Sequence, residues 1–114
     1  MQTEFAAGSM KLSVMVMAEL EFGAEKAKAQ PGTTKFVRRV ETLRTQLEIE
    51  PLGEDFPRSF ARVRAHLEAA GRKIGDRDTI IAAHALALGA TLVTRNIDEF
   101  SRVPGLTVEN WETD

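Results

Sequence analysis

Gly71-Arg72-Lys73-Ile74-Gly75-Asp76-Arg77-Asp78-Thr79-Ile80-Ile81-Ala82-Ala83-His84-Ala85-Leu86-Ala87-Leu88-Gly89-Ala90-Thr91-Leu92-Val93-Thr94 passes from helical to strand periodicity within one short run. Counting forward from Asp78 gives Ile81, Ala82, Ala85 and Gly89, one face of a helix spanning Asp76 to Gly89. Its alanines at 82, 83, 85 and 87 allow a neighbouring helix to approach closely. Thr91 to Thr94 then predicts a short strand. Gly71 stands where a left-handed residue would close a preceding helix, and Arg72 to Gly75 is a connecting loop.

Upstream, Ser13 is placed to cap a helix running to about Ala29, with Met17, Leu20, Ala24 and Ala27 as its apolar stripe. Pro31-Gly32 stops it. A second helix starts at Thr33 or Thr34, buries Phe36, Val40, Leu43 and Leu47, and exposes Lys35, Arg38, Arg39, Glu41 and Arg44. Glu48 to Leu52 predicts a strand. Glu54 and Asp55 open a third helix whose stripe is Phe56, Phe60, Val63, Leu67 and Ala70. Downstream, the polar turn Arg95 to Glu99 leads through Phe100, Pro104 and Gly105 to a last strand at Leu106 to Val108. Helices alternating with short β-branched strands predict an α/β layer with a parallel sheet rather than a bundle.

At 114 residues the chain has the size of a single domain, residues 1–114. Hydrophobic residues at 43% make it too apolar for disorder, yet no run approaches the length of a bilayer span. Met1 to Gly8 has neither a basic nor an apolar leader region, which predicts a cytoplasmic protein. A net charge of -2 argues against binding nucleic acid by bulk electrostatics and leaves local basic patches open. Without cysteine, and with only His66 and His84, thiolate zinc sites and histidine-rich sites are excluded. A metal site here must be built from carboxylates, whose hard oxygens suit Mg²⁺ or Mn²⁺.

Three places offer such oxygens. Glu19 is the first charge after Lys11, following an uncharged run, and it faces either inward or out to solvent with Glu21 and Lys26. Asp78 continues the inward stripe of its helix, or else answers the macrodipole at the helix start, where Asp76 is the better cap candidate. Asn96, Asp98 and Glu99 follow the strand Thr91 to Thr94, and sites in open sheets form outside the carboxyl ends of strands. There is no Gly-rich phosphate loop, nucleophile elbow or His-Glu-x-x-His, so nucleotide hydrolysis, acyl transfer and zinc proteolysis lack support. His84 lies off the Asp78 stripe and is assigned to packing or surface rather than to a ligand set.

From Lys11 to Trp111 the sequence resembles the PIN-domain ribonucleases of the VapC toxin type. The resemblance rests on Ala18-Glu19-Leu20 with Gly23, the run Gly71 to Asp78 followed by Ile81-Ala82-Ala83-His84-Ala85, Leu92-Val93-Thr94-Arg95-Asn96 with Glu99-Phe100, and Trp111. It implies a PIN-like three-layer fold and Mg²⁺-dependent (or Mn²⁺-dependent) hydrolysis of RNA phosphodiesters. Glu19, Asp78 and Asn96 are implied at the catalytic centre, and Glu19, Asp78, Asn96, Asp98 and Glu99 as the pool of metal ligands. Implied partners are an RNA substrate, a cognate antitoxin and a second copy of the chain, with no membrane. Two departures accompany it. Such toxins begin with a central strand ending in Asp-Thr-Asn, so the domain is expected to lack its first strand and first helix, to expose pairing edges, and to dimerise with strand exchange. Asn96 also stands where many relatives carry an acidic ligand. The alternative is a non-catalytic remnant that binds an antitoxin or another toxin subunit.

Overall fold

The computed structural model describes residues 4–7 and 9–110, with side chains from residue 11 onward. Trp111 lies outside the described residues. In chain order the elements are β1 (Glu4–Ala7), β2 (Ser9–Ser13), α1 (Val14–Ala27), α2 (Thr34–Gln46), β3 (Glu48–Glu50), α3 (Phe56–Ala69), α4 (Asp76–Leu88), β4 (Thr91–Val93), α5 (Ile97–Phe100) and β5 (Val108–Glu109).

Ser13 ends β2 and begins α1, accepting a hydrogen bond from the Met15 amide through its hydroxyl oxygen, as expected of an N-cap. Gly71 and Gly89 both carry positive φ at helix ends, and the Arg72 amide closes the α3 terminus on the Leu67 carbonyl. The α4 cap departs from expectation. Gly75 occupies that position and Asp76 is the first helical residue, while the Thr79 hydroxyl donates to the Gly75 carbonyl. The segment expected as a polar turn, Arg95 to Glu99, is largely the single helical turn α5, and the last strand starts two residues later than expected, at Val108.

The sheet order is β3-β2-β1-β4-β5, and it corrects the expectation of an empty centre. β1 fills that place and runs antiparallel to both neighbours, pairing Phe5 with Lys11 and with Leu92. A hairpin this tight between β1 and β2 permits only an antiparallel start. β2–β3 and β4–β5 pair in parallel, as helical crossovers require. The sheet is therefore mixed rather than wholly parallel. The edges expected beside a central gap are paired, which removes that motive for strand exchange. β2 and β4 both oppose β1, so they point the same way and end on the same side of the sheet.

The core holds Leu12, Val16, Met17, Val40, Val63, Leu67, Ile81, Leu92, Phe100 and Val103. Ala82, Ala83 and Ala85 are fully buried, which lets α4 pack against β2, β4, α1 and α3 together. The Ser59 hydroxyl fastens α3 to α4 by donating to the Ala83 carbonyl at 2.7 Å. Two apolar assignments change. Ala70 is exposed at the end of α3, and Phe36 is exposed on α2, where its ring meets Gly23 of α1.

Candidate active site

The carboxyl ends of β2 and β4 lead into the two segments that carry the acidic candidates. β2 runs directly into α1, whose second turn bears Glu19. β4 is followed by Thr94, whose hydroxyl accepts the Asn96 amide and turns the chain into α5. The first turn of α4 presents Asp78 between them.

Asp78 is buried, and its Oδ1 has no hydrogen-bond partner. Its nearest cation is Arg77, whose Nε lies 3.7 Å from that oxygen, beyond hydrogen-bond length. Burial holds the Asp78 carboxyl above the usual carboxylate range, and the negative charge of Glu99 pushes it further the same way, against the opposing pull of Arg77. The macrodipole reading of Asp78 accounts for its place in the first helical turn but leaves this orphaned oxygen unexplained.

Glu99 answers burial differently. Desolvation raises its carboxyl, but the Asn96 side chain and the Gly75 amide at 3.3 Å donate hydrogen bonds to it, and Arg102 adds positive charge. The net result lies below the usual range. Asp78 and Glu99 thus shift in opposite directions, the more buried carboxyl upward and the better hydrogen-bonded one downward.

Glu19 is half-buried and accepts a 2.9 Å hydrogen bond from Arg77 Nη1. Arg77 therefore touches both Glu19 and Asp78, and places these two carboxylates on one side of the molecule. Asn96 contacts Glu99 through its side chain. Asp98 is exposed on the outer side of α5, where its carbonyl accepts from Ser101. His84 is fully buried between Ser13 and the Pro51 carbonyl, a packing role away from the carboxylates. Two contributors escaped the reading of the sequence, Arg77 and Arg102. The signal for Arg77 was its place beside Asp78; nothing local distinguished Arg102.

Among the described residues no three Asp, Glu or His side chains converge on one coordination sphere. The pair Asp78–Glu99 with the Asn96 amide nevertheless fits a hard divalent cation. It is an all-oxygen set with a buried unpartnered oxygen, and such cations complete their shells with water.

The sequence matches the PIN domain family over residues 3–106, and the chain belongs to that family. Its likeness within the family is to VapC-type ribonucleases. It is 36% identical to Ribonuclease VapC2 of Rickettsia felis over 104 residues, covering 91% of this chain and 75% of that protein. The tRNA(fMet)-specific endonuclease VapC of Salmonella typhimurium is 33% identical over 102 residues, covering 90% of this chain and 75% of the relative. Among solved structures, VapBC2 from Rickettsia felis bound to a promoter DNA fragment superposes with a TM-score of 0.79 at 36% identity, covering 90% of this chain and 74% of that one. DNA-bound VapBC from Salmonella typhimurium superposes with a TM-score of 0.78 at 32% identity, covering 88% and 74%.

Proposed function

We propose that this chain is a VapC-type toxin that hydrolyses RNA phosphodiester bonds with Mg²⁺ or Mn²⁺. The observation that carries the reading is the buried Asp78 carboxyl, its Oδ1 unpartnered and the charge of Glu99 close by. A carboxylate left in that state costs stability unless something else repays it, and a cation-dependent reaction is such a reason.

In this reading Asp78 and Glu99 would hold the cation, Asn96 would orient Glu99 and lend a neutral oxygen, and Glu19 would join as a third carboxylate only on release from Arg77. Asp98 stays peripheral on its exposed face. When bound, the cation supplies a water of lowered pKa and neutralises charge on the phosphoryl oxygens. Glu99 remains ionised through its donors and fixes the position of the α4 start by accepting from Gly75.

The VapBC relatives support an antitoxin as partner, and the same family likeness supports a homodimer. Among the described residues no helix is long and apolar enough to cross a membrane. The test is hydrolysis of RNA by the purified chain with Mg²⁺ or Mn²⁺, set against Asp78→Asn. Cleavage that requires the cation and Asp78 supports the reading. Cleavage that Asp78→Asn leaves unchanged removes Asp78 from the mechanism. Folded protein that binds an antitoxin and cleaves nothing favours the non-catalytic alternative, for which the small number of converging acidic groups speaks.

A further inference from the structure

We propose that Arg77 is a built-in counter-ion that competes with the divalent cation for Glu19 and Asp78, and so sets how tightly this site holds metal. The inference rests on the cation-site reading above and concerns a residue which that reading does not use.

Three observations carry it. The guanidinium donates to Glu19 Oε1 at 2.9 Å, while its Nε stands 3.7 Å from Asp78 Oδ1. One positive group thus spans the two carboxylates contributed by α1 and α4. The second contact is long and poorly matched, since the same Asp78 oxygen remains buried without a hydrogen bond. Arg77 relieves the charge of Asp78 without satisfying it, which leaves a divalent ion room to do better. The third observation is space. Arg77 and Glu19 border a cavity of about 230 Å³ lined otherwise by Val16, Leu20, Phe36 and Ile81. Its apolar walls accept the aliphatic stem of the arginine while the charged head turns to solvent. With Arg77 withdrawn, Glu19 is released and both carboxylates become available.

The physical consequence is a competition. A guanidinium cannot lose its proton in the accessible pH range, so it leaves the pair only by moving. Cation binding must displace it, and the observed affinity is lowered by the free energy of the Glu19–Arg77–Asp78 arrangement. An opposite charge within about 4–6 Å changes a carboxylate's affinity for a proton by roughly one to three powers of ten. Arg77 is partly solvated, so the lower end of that scale applies to a competing cation, about tenfold.

The test titrates the purified chain with Mn²⁺ alone and counts free ion by electron paramagnetic resonance, with no RNA present. Arg77→Gln should bind Mn²⁺ about tenfold more tightly than the parent. Arg77→Lys, which keeps the charge, should stay within about threefold of the parent. Equal or weaker binding by a folded Arg77→Gln chain overturns the proposal, as does an equal gain in Arg77→Lys. Arg77→Met serves in the same way should circular dichroism show the glutamine variant unfolded. Asp78→Asn separates the two levels of inference. If it abolishes Mn²⁺ binding while Arg77→Gln gives no gain, the cation site stands and the competition fails. If it leaves Mn²⁺ binding unchanged, the cation is not at Asp78 and both fail.

Discussion

Ser13 and His84, 71 positions apart, are joined by a 3.0 Å hydrogen bond between Oγ and Nδ1 in the fully buried interior. On the other side of the ring, Nε2 lies 2.7 Å from the Pro51 carbonyl, which can only accept. Nε2 therefore carries the proton and Nδ1 accepts from the serine hydroxyl. This neutral tautomer ties α4 to the end of β2 and to the segment after β3. Protonating Nδ1 would turn the Ser13 hydroxyl away from its acceptor.

A pH dependence follows. Burial pushes the His84 pKa down, against the opposing pull of the Pro51 carbonyl and of Glu50. The unfolded chain takes up this proton near the ordinary histidine value of about 6.5, and the folded chain only at lower pH. The stability of His84 is thus complete above that value and is lost as pH falls below it, by at most about 1.4 kcal/mol per pH unit. Urea unfolding between pH 7.5 and 5.5 should show this slope, and His84→Gln should reduce it while also lowering stability. An identical slope in the variant would assign the effect to other groups.

Asp78→Asn is expected to abolish RNA cleavage and to stabilise the cation-free chain at neutral pH. The sign follows from a folded pKa above the unfolded one: ionised Asp78 opposes folding, and the penalty disappears as pH falls through the folded value. Mn²⁺ at a hundredfold excess over its Kd should stabilise the parent by about 2.7 kcal/mol and leave Asp78→Asn unmoved. Thermal unfolding with and without Mn²⁺ measures both.

Asn96→Asp exchanges the amide that donates to Glu99 for a further carboxylate. Glu99 loses a donor and gains a like charge, so the cation-free chain should lose about 1–2 kcal/mol. Binding of Mn²⁺ should tighten as anionic ligands accumulate. Calorimetric titration beside denaturant unfolding separates the two effects, and a variant that is both less stable and weaker in binding would place Asn96 outside the ligand set.

Ser59→Ala removes the hydroxyl that donates to the Ala83 carbonyl and should cost about 1 kcal/mol in urea unfolding, with Mn²⁺ affinity unchanged. A change in Mn²⁺ affinity would mean that the α3–α4 contact controls the site at the far end of α4.

The sequence by itself determined the order of α1 to α4 with β3 and β4 but not β1, β2 or α5, because apolar spacing at α1, α3 and α4 and the β-branched run at β4 are local properties. It also determined that the cation chemistry must be oxygen-based, since a chain without cysteine and with two histidines offers no other ligands. The run Gly71 to Asp78 carried the family. Only the tertiary structure decided the centre of the sheet, because strand direction depends on pairing partners distant in sequence, and β1 takes its antiparallel course from both β2 and β4. Burial of Asp78, the unlike responses of Asp78 and Glu99 and the bridging place of Arg77 were equally out of reach of spacing. Each depends on desolvation and on charges from α1, α4 and α5 meeting in one small volume, and those energies exist only once the chain has folded.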